Sequence, residues 1–352
     1  MTMKSKLITT LFLLLIATAS CNVVDSISGN EENDNPIELY PILLDGEWGY
    51  IDKNGSVKIE PQFQNADVFS DGLARVRYRW SWKYINENGD FEIEGDFQSI
   101  ENFNDGLAAV RIDDRWGYIN KKGNFAVNPR FRSAYPFSSG RAFVRSIDYS
   151  EYYYIDKNGI RIESVSLPDD MDFVENNTFS NGRALVNDDD LFGYIDQKGN
   201  TVIELKYPEA RPFSDKLAAV KISDKWGFID NSGSVVISPQ FISVGDFGNG
   251  LAPARSSTNQ FGYVDKNGSS VIEEQFDEVE TFNEDRAAVK IDDKWTFIDK
   301  SGNQISSAKF DEVDAFYNGL ARVTIVIPID DEFEDRYGYI NKSGSYVWFP
   351  TN

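Results

Sequence analysis

The chain of 352 residues carries 57 acidic and 35 basic side chains, a net charge of −22 at pH 7, and it contains no histidine. An acidic surface of this strength repels nucleic acid phosphates, so the charge excludes nucleic acid as a partner. The absence of histidine removes the commonest general base and metal ligand, and with them a triad of the serine protease kind. We therefore expect a protein that is not an enzyme and that needs no metal or cofactor.

The first twenty residues have the pattern of a secretory signal peptide. Lys4 and Lys6 precede an apolar run at residues 7 to 17, and small residues fill positions 18 to 20. The run is too short to span a bilayer, which takes about 20 apolar residues. Residues 21 to 36 are polar and acidic, which predicts a flexible tether to a folded domain at residues 37 to 352.

Cys21 is the only cysteine of the chain, and it directly follows the signal. This position resembles the lipobox of bacterial lipoproteins, in which the cysteine is diacylated and becomes the first residue of the mature protein. Thr18 stands where the lipobox usually has leucine. The resemblance implies a lipid anchor in the membrane and a location on the cell envelope, at the outer membrane of a Gram-negative cell.

A short motif recurs nine times in the remainder of the chain. Each copy begins with an aromatic residue, followed by glycine in six of the nine, then by an aromatic residue, an aliphatic residue and Asp or Asn. The copies begin at Trp48, Trp82, Trp116, Tyr152, Phe192, Trp226, Phe261, Trp295 and Tyr337. Successive copies lie 34, 34, 36, 40, 34, 35, 34 and 42 residues apart. A period of this length indicates a tandem array of one supersecondary unit.

Two further elements recur in phase with this motif. A glycine lies seven residues after the first aromatic residue in all nine copies, and a segment such as Phe69-Ser70-Asp71-Gly72-Leu73-Ala74 separates many of them. Together these elements resemble the bacterial WG-repeat family, over roughly residues 39 to 349. The resemblance implies an exported or envelope-associated repeat protein. It implies no particular activity, because the family has no defined common one.

Each repeat predicts a three-stranded antiparallel meander, so the fold class is all-β. Segments rich in β-branched and aromatic residues are divided by turn residues such as Asp113-Asp114 and by the recurring glycine, which suits a left-handed turn position. We expect Pro61, Pro129 and Pro239 to end the third strand, because proline cannot donate a hydrogen bond to the sheet.

The connection to the next meander carries apolar residues three apart, as at Phe97, Ile100 and Phe103. This period does not suit a strand, and it predicts an irregular or one-turn helical crossover that packs its aromatic side chains on the sheets. Neighbouring meanders must then stack to bury a shared core. We favour an open, twisted array over a closed ring like a β-propeller, because nine units exceed the usual 4–8 blades.

Departures from the repeat are the candidate binding sites. The run Arg77, Tyr78, Arg79 and Trp80 is basic and aromatic within an acidic chain, and such groups suit a sugar ring or a partner protein. Tyr153, at the copy before the first insertion, is a further candidate.

Two insertions, at residues 164 to 177 and 330 to 335, are rich in acidic residues. Neither has the spacing of a calcium-binding loop, so no metal ligand is expected there.

The function that this sequence favours is a non-catalytic scaffold, displayed on the cell envelope, that binds a protein or a glycan. A structural spacer without a specific ligand is the first alternative. A glycan hydrolase that depends on two carboxylates is the second, although no pair of carboxylates stands out among so many.

Overall fold

A computed structural model describes residues 38–149, 151–162, 179–188, 190–329 and 332–351. The predicted signal peptide, Cys21 and the tether lie outside these residues, as do the whole first insertion and Asp330 and Asp331 of the second. Within the described part of the chain, no helix has the length and hydropathy that crossing a membrane requires.

The described residues form nine antiparallel sheets, which we call units 1 to 9. Unit 1 contains β1 (Leu39–Leu44), β2 (Glu47–Asp52) and β3 (Val57–Phe63). Unit 2 contains β4 (Asn65–Ala66), β5 (Ala74–Tyr78), β6 (Ser81–Ile85) and β7 (Phe91–Ile93). Unit 3 contains β8 (Ser99–Ile100), β9 (Leu107–Ile112), β10 (Arg115–Asn120) and β11 (Phe125–Phe131). Unit 4 contains β12 (Ser133–Ala134), β13 (Arg141–Arg145) and β14 (Tyr152–Asp156). Unit 5 contains β15 (Arg183–Asp188), β16 (Leu191–Asp196) and β17 (Thr201–Tyr207). Unit 6 contains β18 (Leu217–Ile222), β19 (Lys225–Asp230) and β20 (Val235–Phe241). Unit 7 contains β21 (Ser243–Val244), β22 (Leu251–Arg255), β23 (Phe261–Asp265) and β24 (Ser270–Phe276). Unit 8 contains β25 (Glu278–Val279), β26 (Arg286–Ile291) and β27 (Lys294–Asp299). Unit 9 contains β28 (Glu312–Val313), β29 (Leu320–Ile329), β30 (Glu332–Asn341) and β31 (Tyr346–Thr351).

The predicted all-β tandem array of antiparallel meanders is confirmed. Strands pair in chain order within each unit, and none of the nine described sheets closes into a barrel. The strand that carries the aromatic motif, here called the lead strand, lies between the strand before it, called the first strand, and the strand after it, called the third strand. The hydroxyl-bearing ring of the motif is buried in many units, as at Tyr50, Tyr118 and Tyr194.

The predicted helical crossover between units is instead an extended segment. In unit 3, the backbone N–H groups of Gln98 and Glu101 donate to the carbonyl oxygens of Arg111 and Ala109, both at 2.9 Å. These hydrogen bonds add a short fourth strand beside the first strand, so the helical alternative is wrong in the units described. The packing half of the prediction is confirmed, because Phe103 is fully buried in the core.

The recurring turn glycine is confirmed in a left-handed conformation in all nine units, with φ between 76° and 84°. The Asp or Asn at the end of the lead strand closes the same turn. In unit 1, Asp52 Oδ1 accepts hydrogen bonds from the N–H groups of Asn54 at 2.8 Å and Ser56 at 3.0 Å. These carboxylates are therefore engaged by their own turn, which is the role expected of Asp in a turn.

The glycine of the Trp-Gly pair is required by the third strand, which passes directly over it. A Cβ on Gly227 would lie 2.5 Å from the carbonyl oxygen of Ile237 and 2.9 Å from the nitrogen of Pro239. Units 1, 3, 5, 6 and 7 have this glycine and a third strand of seven residues. In unit 2, where Lys83 replaces the glycine, the third strand has three residues. The two sequence features are thus physically linked.

The prediction that prolines end the third strand is wrong. β3, β11 and β20 each continue past the proline to a phenylalanine that pairs with the lead tryptophan, as Phe241 pairs with Trp226. The pairing register shifts between these points, which marks a bulge. Proline is tolerated in a bulge because its missing N–H leaves no broken hydrogen bond in the ladder.

The core is divided into nine clusters of buried side chains, one between each pair of neighbouring units. Eight of them join units that follow one another in the chain. The ninth joins unit 1 to unit 9 and contains Tyr40, Ile51, Leu320 and Tyr339. A row of nine units with free ends has eight interfaces. Nine interfaces among nine units therefore mean that the row has no free ends.

Direct contacts join the two ends of the array. The Tyr339 hydroxyl donates to the carbonyl oxygen of Pro41 at 2.8 Å, and the Tyr40 hydroxyl donates to that of Asn318. The rings of Tyr40 and Tyr339 meet edge to face, with centroids 5.7 Å apart. Although each sheet stays open, the row of sheets is therefore closed end to end, which is the ring that the sequence left as the alternative. The count of nine did not prevent closure, because short strands leave each unit small.

Candidate binding surface

The turn between the first strand and the lead strand, which we call the tip, is unusual in unit 2. Arg79 and Trp80 form this two-residue turn with φ of 49° and 66°. Asp113 and Asp114 fill the same left-handed positions in unit 3, and Asp tolerates this conformation better than bulky residues do. Retaining Arg and Trp here costs about 1 kcal/mol or more, and such outliers cluster at functional sites.

Cationic and aromatic groups alternate on this tip. The guanidinium of Arg77 lies 5.2 Å from the centre of the Trp80 ring, and that of Arg79 lies 5.2 Å from the Tyr78 ring. Tyr78 in turn packs on Phe91 at 5.1 Å. Trp80 is 77% exposed. The four predicted residues of this run therefore form one surface, with Tyr78 as its base and Trp80 as its exposed ring.

Tyr153 lies apart from that surface. It is the residue at the motif glycine position of unit 4, and its ring packs on Phe131 of unit 3 at 6.3 Å. The Arg161 guanidinium lies 4.6 Å from the ring centre. Burial raises the pKa of the Tyr153 hydroxyl, although Arg130 and Arg161 oppose the change. The structure thus assigns Tyr153 to packing between two units.

The tip of unit 4 carries a second cationic and aromatic group, which the sequence reasoning missed. Tyr149 is 49% exposed, and the guanidinium groups of Arg132 and Arg145 lie 4.7 and 4.8 Å from its ring centre. Arg145 also lies 4.7 Å from the ring of Tyr152. The signal was present, because Arg145 occupies the same repeat position as Arg77.

The cation at this repeat position is paired differently around the ring. Arg77, Arg111 and Arg145 face the neutral residues Asn65, Ser99 and Ser133 across the sheet. In units 6 and 8 the cation is lysine and its neighbour is glutamate. Lys221 Nζ lies 2.5 Å from Glu209 Oε1, and Lys290 Nζ lies 2.8 Å from Glu278 Oε1. The neighbouring strand neutralises the lysines and leaves the arginines free of such a partner.

The charge of the chain follows the same division. Residues 65 to 156, which span units 2 to 4, hold 12 basic and 14 acidic side chains and nine of the 16 arginines. The rest of the chain holds 23 basic and 43 acidic side chains. An acidic ring therefore contains one arc of nearly balanced charge whose tips present arginine.

The opposite end of the units carries turns that hydrogen-bond from one unit to the next. Asp71 accepts from the N–H of Gly106 at 2.7 Å, and Asp215 accepts from the N–H of Gly250 at 2.7 Å. A cavity of about 510 Å³ lies among these turns in units 6 to 8, with Asp215 and Glu280 in its lining. Burial raises the pKa of Glu280, and Glu278 adds to the effect.

The acidic insertions give no site in the described residues. No group of three or more Asp, Glu or Cys side chains with metal-binding geometry occurs in the residues that the structure covers. The first insertion lies wholly outside those residues, so the prediction that it has no calcium loop stays a prediction.

Comparison with known protein families gives one match. A family model described as a WG containing repeat matches seven segments: 48–79, 82–116, 116–146, 192–226, 226–256, 261–295 and 295–325. The motif copies led by Tyr152 and Tyr337 fall outside these segments, and these are the copies next to the insertions. No curated protein sequence matches the chain.

Comparison with solved structures gives similar folds at low sequence identity. The structure titled as the eukaryotic initiation factor is 9% identical, with a TM-score of 0.60, over 90% of this chain and 97% of that one. Hsv2p of Kluyveromyces lactis is 12% identical, with a TM-score of 0.41, over 70% of this chain and 98% of that one. At these identities, the first likeness bears on the fold alone.

Proposed function

Since this chain belongs to the family of WG containing repeats, we propose that it is a non-catalytic scaffold that uses its ring of units to bind a protein or glycan. The contact surface is the tips of units 2 to 4. The single observation that carries this proposal is the tip of unit 2, where Arg79 and Trp80 hold left-handed turn positions and leave the Trp80 ring 77% exposed.

Three physical features support this assignment. An exposed tryptophan offers a flat apolar face that loses little conformational entropy on binding, and such residues dominate binding energies. The arginines stacked on the aromatic rings keep their outward N–H groups for a partner. Short hairpins on a ring of packed sheets hold the surface rigidly in place, which lowers the ordering cost of binding.

The proposal includes export and a lipid anchor at Cys21, on the envelope of a bacterial cell. The signal pattern at residues 1 to 20 and the lipobox resemblance support this part. Acyl chains on Cys21 insert in a membrane with about 0.8 kcal/mol for each buried methylene.

The binding part is tested by screening the full-length chain, purified in detergent, against arrays of envelope glycans and envelope proteins. We expect at least one hit that Trp80→Ala abolishes and that Tyr78→Ala weakens. Phe333→Ala is the matched control, because Phe333 is 78% exposed on unit 9, outside the arginine arc.

Three outcomes of the screen contradict the proposal. An empty screen favours the structural spacer. If Phe333→Ala removes the hits as completely as Trp80→Ala does, the contact surface is not the tip of unit 2. Cleavage of any glycan by the protein rejects the non-catalytic assignment.

The anchor is tested separately by Cys21→Ser. We expect the variant to leave the membrane fraction of the producing cells and to appear in the soluble fraction. A variant that stays membrane-bound contradicts lipid anchoring at this residue and leaves the binding proposal to its own test.

A further inference from the structure

We infer that the arc formed by units 2 to 4 recognises a carboxylate-bearing polysaccharide, such as a chain of uronic acids. This inference rests on the proposed function and names the chemistry of its partner. It is carried by the equivalent arginines Arg77, Arg111 and Arg145 together with the exposed rings of Trp80 and Tyr149.

The arginines recur once per unit in units 2 to 4 and lack the glutamate that the neighbouring strand supplies in units 6 and 8. Among the ion pairs of the described residues, none involves Arg77 or Arg145, and Arg111 pairs only with the exposed Asp114 of its own tip. The Nε atoms of all three arginines are buried without a hydrogen-bond partner. Arg145 Nη2 lies 3.5 Å from the Tyr149 carbonyl oxygen, and no carboxylate of the described residues engages Arg77 or Arg145, so their planar guanidinium groups can match the two oxygens of a carboxylate ligand.

The stacked rings hold the guanidinium groups in place. Arg77 rests 5.2 Å from the Trp80 ring centre, and Arg145 rests 4.7 and 4.8 Å from those of Tyr152 and Tyr149. A fixed guanidinium loses less entropy on binding than a mobile lysine. The tips of units 2 and 4 therefore each combine a placed cation with an exposed aromatic ring.

This combination suits a charged sugar better than an acidic peptide. A uronic acid presents an apolar face of C–H groups to an aromatic ring and a carboxylate at its edge, so one residue satisfies both features of a tip. The repetition of the arginine along successive units suits a polymer with evenly repeated charge, which engages several weak sites at once. The rest of the chain, with 43 acidic against 23 basic residues, repels such a polymer and confines it to the arc.

The test measures binding of polygalacturonate to the full-length chain in detergent, with dextran as a neutral polysaccharide and poly-L-glutamate as an acidic polypeptide. We expect polygalacturonate to bind, dextran to be ignored and poly-L-glutamate to bind at least about tenfold more weakly, and we expect added salt to weaken binding. The double variant Arg77→Gln with Arg145→Gln is expected to lower the affinity for polygalacturonate by about tenfold or more.

Two variants keep this test sharp. Arg255→Gln is the matched control, because Arg255 has the same repeat position, stacks on Phe261 at 5.1 Å and has the same unpartnered Nε, but lies in unit 7. We expect it to change affinity by less than about twofold, since it is outside the arc. Arg77→Lys with Arg145→Lys keeps both positive charges and places lysine where units 6 and 8 already have it. The affinity of this variant for polygalacturonate should fall between those of the parent and of the double glutamine variant, because lysine lacks the planar fork.

The outcomes separate this inference from the proposed function. Equal binding of poly-L-glutamate and polygalacturonate rejects the glycan assignment in favour of an acidic polypeptide. Equal losses in the Arg255 variant and the double variant reject the arc. Absence of polygalacturonate binding, combined with a hit in the screen that needs Trp80, rejects this inference and leaves the proposed function standing. Absence of both rejects both.

Discussion

Units 4 and 6 are built on the same template and use two of its positions in opposite ways. Unit 6 has Gly227 in its lead strand, beneath a full third strand, and pairs Lys221 with Glu209. Unit 4 has Tyr153 at the glycine position and places Arg145 opposite Ser133. The difference shows that the repeat folds with glycine in the lead strand and with a lysine that pairs with glutamate. A stacked arginine that has no glutamate opposite it is therefore not required by the fold.

The largest expected effect comes from Gly227→Ala. The added Cβ would meet the Ile237 carbonyl oxygen at 2.5 Å, so the third strand must shift. We expect a loss of about 1–3 kcal/mol in the free energy of unfolding, measured by urea denaturation. Lys83→Ala, at the same position in unit 2, adds no atom beneath a long third strand and should cost about 0.5 kcal/mol or less. Equal losses in the two variants contradict the link between this glycine and the third strand.

A smaller effect is expected where the ring closes, since the comparison assumes that both units belong to one closed ring. Tyr339→Phe removes the hydrogen bond to the Pro41 carbonyl, and Tyr194→Phe removes the equivalent bond to the Arg211 carbonyl between units 5 and 6. Each should cost about 1 kcal/mol, measured by thermal or urea unfolding. If Tyr339→Phe costs nothing while Tyr194→Phe costs about 1 kcal/mol, the end-to-end contact is not formed in solution.

The acid stability of units 6 and 7 should differ from that of units 2 and 3 for a reason visible in their turns. Hydrogen bonds from Ser232 lower the pKa of Asp230, and the bond from Ser269 lowers that of Asp265. A lowered pKa stabilises the fold above about pH 4, the value in the unfolded chain, and this stabilisation is lost as the pH falls. Asn120 closes the same turn in unit 3 without a titrating group.

The double variant Asp230→Asn with Asp265→Asn tests this reasoning. Its melting temperature should fall less between about pH 4 and pH 2 than that of the parent, because Asn makes the turn bonds at every pH. The measurement is thermal unfolding by circular dichroism across that range. If the melting temperatures of parent and variant fall equally over this pH range, these turns do not contribute to the loss of stability in acid.

The smallest expected effect is a gain of function in unit 6. Glu209→Ser, with Lys221→Arg, gives unit 6 an arginine opposite a serine, as in units 3 and 4, and leaves Asp224 of its own tip as the acidic neighbour. We expect the variant to bind polygalacturonate slightly more tightly than the parent at low salt, by about two- to threefold, in a titration read by fluorescence. No change would mean that the aromatic rings of the tips, and not the cations, carry the contact.

Much of the fold follows from local sequence. The nine copies of the motif predicted nine meanders, and the turn glycines predicted left-handed positions, because both depend on residues close together in the chain. Closure of the ring did not follow, because it depends on Tyr40 and Tyr339, which are almost 300 residues apart. The crossover was also misjudged, because Phe97, Ile100 and Phe103 share a helical spacing while their backbone pairs with a neighbouring strand.

The candidate surface was predictable only in part. The run from Arg77 to Trp80 is visible because its cations and rings are contiguous in the sequence. The tip of unit 4 was missed although Arg145 repeats the position of Arg77. The part that no local pattern predicts is the approach of Arg132 to Tyr149 from the preceding segment. Tyr153 was named for its place in the copy before the first insertion, while its repeat position, that of the motif glycine, pointed to packing.

The most direct test of the central claim is a hydrogen-exchange footprint of the full-length chain with and without polygalacturonate. The claim is that the unneutralised arginine tips of units 2 and 4, together with Arg111 of unit 3 between them, form the contact surface. It predicts slower amide exchange at residues 77–82 and 145–152 in the presence of the polymer, and unchanged exchange at residues 221–226 of unit 6. Protection that is equal in all units, or greatest in unit 6, would contradict it.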